Sequence, residues 1–224
     1  MMQKRNDAAE SRSTAVILTA LAMIFTILVK TVDVQAIGPN GSEVGFAAVN
    51  GAVANALGVK LFWYDVSETL GYLAILTCLF FAALGVYQLI KEKSLKKVDK
   101  RILALGALYA VTVVLYVLFD KVAVNYRPVL ENGVLEPSYP SSHTVLSLVA
   151  FGSAFLLVRK YFIEEKPRRI IGAACLLLMI LTVLSRLLSG FHWLTDIVGG
   201  LLIAGALLAW FAFVLGLLDR RRER

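Results

Sequence analysis

The chain has two histidines, His143 and His192, and both stand beside residues suited to handling phosphate. His192 precedes Asp196 by four residues, so on a helical turn the imidazole and the carboxylate share a face. A carboxylate that holds one imidazole nitrogen fixes the tautomer and frees the other nitrogen to attack phosphorus. His143 follows Pro140-Ser141-Ser142 and is then the spare proton donor for a departing alkoxide. Arg127 and Arg186 offer planar forks that pair bidentately with phosphate oxygens, and Lys121 offers a point charge. Ser141 and Ser142 can open a helix whose exposed N–H groups and positive dipole end attract an anion. The chemistry these types describe is phosphoryl transfer through a histidine nucleophile.

Single fragments of this set are weak. Arg127-Pro128 is an ordinary loop dipeptide, and Pro-Ser-Ser-His is an ordinary helix start. Ser185-Arg186, followed after five residues by His192 and then by Asp196, is rarer. The strength lies in order and placement, so the elements that carry the fragments matter. On one continuous helix Arg186 and His192 would point about 240° apart. Ser189-Gly190 supplies a break that lets both face one phosphate.

Those elements are apolar. Hydrophobic residues make up 58% of the 224, mean hydropathy is +0.74, and the excess forms blocks of roughly 20 residues, long enough to cross a bilayer. Six spans are expected, over Thr14–Val32, Leu70–Ile90, Ile102–Phe119, Ser142–Val158, Ile170–Leu188 and Ile197–Leu218. Helices are the open-chain solution, because each backbone donor must be satisfied within its span. The fold class is therefore an all-α six-span bundle, one membrane domain over residues 1–224 with its chemistry within 121–196. The run after the polar segment Met1–Arg12 is expected to be a retained anchor rather than a cleaved signal. Asp33–Glu68 reads as too polar to cross. Within it Phe46, Val49, Val53 and Leu57 recur at helical spacing, which suits a short helix on the membrane surface or covering the bundle.

With six spans, eighteen of the 23 lysines and arginines fall at one end: the N-terminus, Lys91–Arg101, Arg159–Arg169 and the C-terminus. The positive-inside rule makes that end cytoplasmic. Both termini are then cytoplasmic, and the three motif segments open on the extracytoplasmic side of the cell membrane. The net charge of +7 does not imply nucleic acid, since no basic stripe is interleaved with aromatics. Cys78 and Cys175 lie inside apolar blocks without Cys-x-x-Cys spacing, so neither a disulfide nor a metal site is expected.

The segments ending at Arg127-Pro128, Pro140-Ser141-Ser142-His143 and Arg186 to Asp196 resemble the signature motifs of the type 2 phosphatidic acid phosphatase family. That family includes undecaprenyl-pyrophosphate and phosphatidylglycerophosphate phosphatases, and vanadium haloperoxidases share its pocket. The resemblance implies that His192 is the nucleophile forming a phosphohistidine, that Asp196 orients it and that His143 is the general acid. It further implies that Arg127, Arg186, Ser141 and the backbone at Ser142 hold phosphate, and that neither a cofactor nor a metal is needed. Two positions depart from the family pattern. Ser142 stands where glycine is usual, yet can still offer its N–H. Lys121 is six rather than seven residues before Arg127, with Asp120 in the usual place; a long lysine stem is expected to recover the shift. The implied substrate is a membrane lipid phosphate, either a prenyl pyrophosphate (undecaprenyl pyrophosphate foremost) or a glycerophospholipid phosphate. A vanadate-dependent haloperoxidase-like enzyme is the first alternative, disfavoured because those enzymes are soluble. A non-catalytic phosphate-binding membrane protein or transporter is the second, and His143, His192 and Asp196 argue against it.

Overall fold

The computed structural model describes residues 2–162 and 164–222, with side chains described over 10–162 and 164–220. Of the basic residues counted above, Lys4, Arg5, Arg221, Arg222 and Arg224 lie outside the described side chains. The helices are α1 (Met2–Thr31), α2 (Ala47–Leu57), α3 (Leu61–Glu92), α4 (Lys100–Lys121), α5 (Ser142–Tyr161), α6 (Glu165–Ser189) and α7 (Leu194–Arg222). All but α2 are long and apolar enough to cross a membrane. The chain is an all-α integral membrane protein.

α5 is the axis of the bundle. Twelve of its twenty residues are buried, and it packs against α3, α6 and α7, while α1 lies along α7. Small side chains permit this. A Cβ on Gly152 would stand 2.5 Å from Leu208 Cδ1, so the backbones of α5 and α7 approach as closely as small residues allow in membrane helices. Several hydroxyls inside the spans are satisfied by their own helix, as where Thr112 donates to the Leu108 carbonyl at 2.9 Å and Thr182 to Leu178 at 2.9 Å. Outward faces carry exposed Ile17, Leu76, Phe80, Val114 and Ile180, an arrangement stable only against lipid.

Two departures from the expected spans bear on the site. α3 begins at Leu61, nine residues before the expected Leu70. Its first turns contain Ser67 and Glu68, which hydropathy penalises, but both turn inward to Arg186. The short helix appears over Ala47–Leu57 and covers the bundle: Asn50 is fully buried, and α2 packs on α7. Its N-cap, Phe46, has φ 50° and no capping side chain. The Asp33 carboxylate does that work by accepting the Ala48 N–H at 2.7 Å. That hydrogen bond holds the Asp33 carboxyl below its usual range.

Candidate active site

α6 ends at Ser189, and Gly190 turns the chain with φ 74°. A Cβ there would also run into the Gly58 carbonyl oxygen, so glycine is required both by conformation and by space. The turn brings His192 back over the last turn of α6. Arg186 Nη2 lies 3.2 Å from His192 Nε2, and His192 Nδ1 lies 3.3 Å from Asp196 Oδ2. A guanidinium can only donate and an ionised carboxylate can only accept, so these partners select the tautomer with hydrogen on Nδ1 and a lone pair on Nε2. The Trp193 N–H donates to the same Asp196 oxygen at 3.0 Å. His192 sits in the link between α6 and α7. Burial, then the charges of Arg186, Arg127 and His143, push its pKa well below the ordinary histidine value. The ring is therefore neutral at neutral pH.

Arg186 is fully buried. Its Nη1 donates to Ser67 Oγ at 2.9 Å and to Glu68 Oε1 at 3.0 Å, and its guanidinium lies 5.7 Å from the centre of the Tyr64 ring. The same Glu68 oxygen is 3.2 Å from His143 Nε2. His143 is thus brought to Arg186 through a carboxylate that sequence reasoning assigned to a loop.

A cavity of about 560 Å³ opens beside these groups. Glu68, Arg127, Ser142, His143 and His192 line one end, and Tyr72, Ile75, Val113, Leu115, Tyr116 and Phe119 continue it between α3 and α4. Tyr72, Ile75, Val113 and Tyr116 are also exposed on the outer face, so the cavity opens sideways where lipid would be. Arg127 Nη1 is 2.7 Å from Glu131 Oε2 and its Nε is 3.4 Å from Glu136 Oε2. Neither nitrogen reaches a protein acceptor with hydrogen-bonding geometry among the described residues, nor do Arg186 Nε and His143 Nδ1. Buried donors without acceptors are rare and call for an explanation.

Ser141 is fully buried and does not line the cavity. Its hydroxyl accepts from the Thr144 N–H at 3.4 Å and from the Thr144 hydroxyl at 3.0 Å, and its N–H donates to the Asp196 carbonyl at 3.1 Å. The first-turn amides of Ser142 and His143 have no intrahelical acceptor. Lys121 ends α4 with its side chain 76% exposed, 3.3 Å from Asp120, and is not among the residues lining the cavity. The structure does not bring it to the histidines.

A buried amide network holds the nucleophile link against α2. Asn50 Nδ2 donates to the Gly45 carbonyl at 2.7 Å and to Thr195 Oγ1 at 2.9 Å. Thr195 N–H returns to Asn50 Oδ1 at 3.2 Å, and Asn125 accepts from the Gly45 N–H at 3.1 Å. The Trp193 indole donates to the Tyr126 carbonyl at 2.6 Å, joining this network to the Arg127 loop. Sequence reasoning did not assign Glu68, Ser67, Tyr64, Asn125 or Thr195 to the site. The available signal was Glu68 itself, a carboxylate within two residues of an apolar block, because ionisable residues in spans are functional by default. Among the described residues no three His, Cys, Asp or Glu side chains gather as a metal site would require.

The family model described as the PAP2 superfamily matches residues 122–219, which contain His143, Arg186, His192 and Asp196. No curated protein matches the chain by sequence. The solved structures include a transmembrane PAP2 type phosphatidylglycerolphosphate phosphatase from Bacillus subtilis. It is 19% identical, with a TM-score of 0.61 over 94% of this chain and 98% of that one. At that identity the likeness extends to the fold. Over residues 122–219, which carry these side chains, the chain is similar to the PAP2 superfamily, a likeness that supports phosphohydrolase activity of the superfamily's general kind.

Proposed function

We propose that the protein is a metal-independent lipid phosphatase. It hydrolyses a phosphomonoester or pyrophosphate of a membrane lipid, a prenyl pyrophosphate or a glycerophospholipid phosphate, through a phosphohistidine on His192. The observation that carries this reading is the gathering of Arg127, Arg186 and His143 about a neutral His192, with Arg186 Nε and His143 Nδ1 buried and without a hydrogen-bond partner among the described residues. A phosphoryl group, with several strong acceptor oxygens, satisfies such a set. The apolar half of the cavity and its sideways mouth suit the lipid chain.

His192 Nε2 attacks phosphorus in this scheme, with Asp196 compensating the charge that the ring gains. Once Nε2 is bonded to phosphorus, Arg186 Nη2 loses its acceptor there and turns to a phosphoryl oxygen; Nη1 stays with Ser67 and Glu68. Arg127 and the amides of Ser142 and His143 bind from the cavity side. His143 protonates the departing oxygen. Ser141 acts as the cap that orients α5, and the placement of Lys121 argues against a part for it in phosphate binding. The basic residues gathered at the opposite end support an extracytoplasmic site, with both termini cytoplasmic.

Phosphate release from a panel of lipid phosphates in detergent, with and without a chelator, tests the reading. Release from at least one lipid, unaffected by the chelator and absent in His192→Ala, is expected. Activity abolished by the chelator and restored by magnesium would overturn the metal-independent scheme.

A further inference from the structure

Glu68 is one α-helical turn from Gly71 on α3, so both face the His143 ring. A Cβ on Gly71 would stand 2.5 Å from His143 Cδ2 and 2.8 Å from Nε2. α3 is therefore cut back where the imidazole edge lies against it. Beside that notch, Glu68 Oε1 meets His143 Nε2 at 3.2 Å and Arg186 Nη1 at 3.0 Å. Ser67 Oγ takes the same guanidinium nitrogen at 2.9 Å, which fixes Arg186 from a second direction. A carboxylate only accepts hydrogen bonds, so the proton between Glu68 and His143 resides on Nε2. The other ring nitrogen, Nδ1, is buried and has no acceptor among the described residues, on a side chain that lines the cavity.

We propose that Glu68 is a positioning residue for proton transfer. It grips His143 by Nε2 so that Nδ1–H faces the leaving oxygen, and its shared contact with Arg186 locks that alignment to the phosphate. This rests on His143 being the general acid, as proposed above. In the first step His192 Nε2 bonds to phosphorus as the ester P–O bond breaks, and the Nδ1 proton of His143 passes to the departing oxygen. In the second step water attacks the phosphohistidine. One water proton returns to Nδ1, the P–N bond breaks and phosphate leaves. Glu68 keeps its place through both steps and supplies the negative partner while the ring carries the extra proton.

The test compares two soluble esters on the full-length protein in detergent: a short-chain alkyl phosphate, whose alkoxide needs a proton to leave, and nitrophenyl phosphate, whose phenolate does not. Weakened support of Arg186 slows both esters alike, so the ratio of their kcat values isolates the acid. In His143→Ala the alkyl-to-aryl ratio should fall about 100-fold, a typical general-acid contribution. In Glu68→Gln it should fall about tenfold, part of that same contribution, and in Glu68→Asp, which keeps the charge on a shorter stem, by less. If the ratio falls in His143→Ala but stays at the wild-type value in Glu68→Gln, Glu68 is structural and the proposal is overturned. If it does not fall in His143→Ala, the acid assignment fails first and takes this proposal with it. Should Glu68→Gln not fold, Glu68→Asp decides: a lowered ratio supports the proposal, and a wild-type ratio with reduced overall turnover overturns it.

Discussion

The main-chain N–H of Ser141 donates to the main-chain carbonyl of Asp196 at 3.1 Å. One hydrogen bond thereby ties the start of α5, beside His143, to the first turn of α7, which directly follows the link that carries His192. Site precision of this kind comes from rigid elements.

Ser141→Ala leaves that main-chain bond in place and tests the side-chain cap of α5. Loss of the N-cap should cost about 0.5–2 kcal/mol of stability, read as a lower unfolding temperature in detergent. Turnover should fall as well, because the amides of Ser142 and His143 move with the frayed end. Unchanged turnover alongside lowered stability would separate α5 capping from the chemistry.

The pH profile tests the state of His192. Its pKa is lowered, by burial first and then by Arg186, Arg127 and His143, so the neutral nucleophilic form persists as pH falls through the ordinary histidine range. The acidic limb of kcat/KM assigned to this group should therefore lie below that range. Arg127→Gln removes one of the charges and should move the limb upward in pH. A limb at the ordinary histidine value that ignores Arg127→Gln would contradict the assignment.

Lys121→Met should leave turnover within about threefold of wild type, since exposed ion pairs such as Lys121–Asp120 contribute only ~0–1 kcal/mol. A loss of tenfold or more would bring the lysine to the phosphate after all.

Orientation can be read with single cysteines in a background lacking Cys78 and Cys175. Val134 and Leu95 are 57% and 61% exposed, at opposite ends of the bundle. Val134→Cys should react with an impermeant thiol reagent on intact cells, and Leu95→Cys only after permeabilisation. The reverse pattern would place the site in the cytoplasm.

The six spans, the covering helix and the Arg186–His192–Asp196 arrangement were legible in the sequence because apolar periodicity, the Ser189-Gly190 break and i,i+4 spacing are local signals. The start of α3 was not. Hydropathy reads Ser67 and Glu68 as loop, whereas the partner that makes their burial affordable, Arg186, lies 118 residues from Glu68. Asn50 and Thr195 were hidden in the same way, since a buried amide network depends on partners far apart in the chain. Ser141 was legible as a cap but not as a residue turned away from the cavity, because periodicity gives a face and not a neighbour.

The central claim is that His192 carries the phosphoryl group between the two half-reactions. Rapid quench with labelled nitrophenyl phosphate, followed by alkaline denaturation and peptide mapping, measures it directly. Acid-labile, alkali-stable label should appear on the peptide containing His192, persist in His143→Ala, where the aryl group leaves without a proton, and vanish in His192→Ala. Label that survives in His192→Ala would contradict the account.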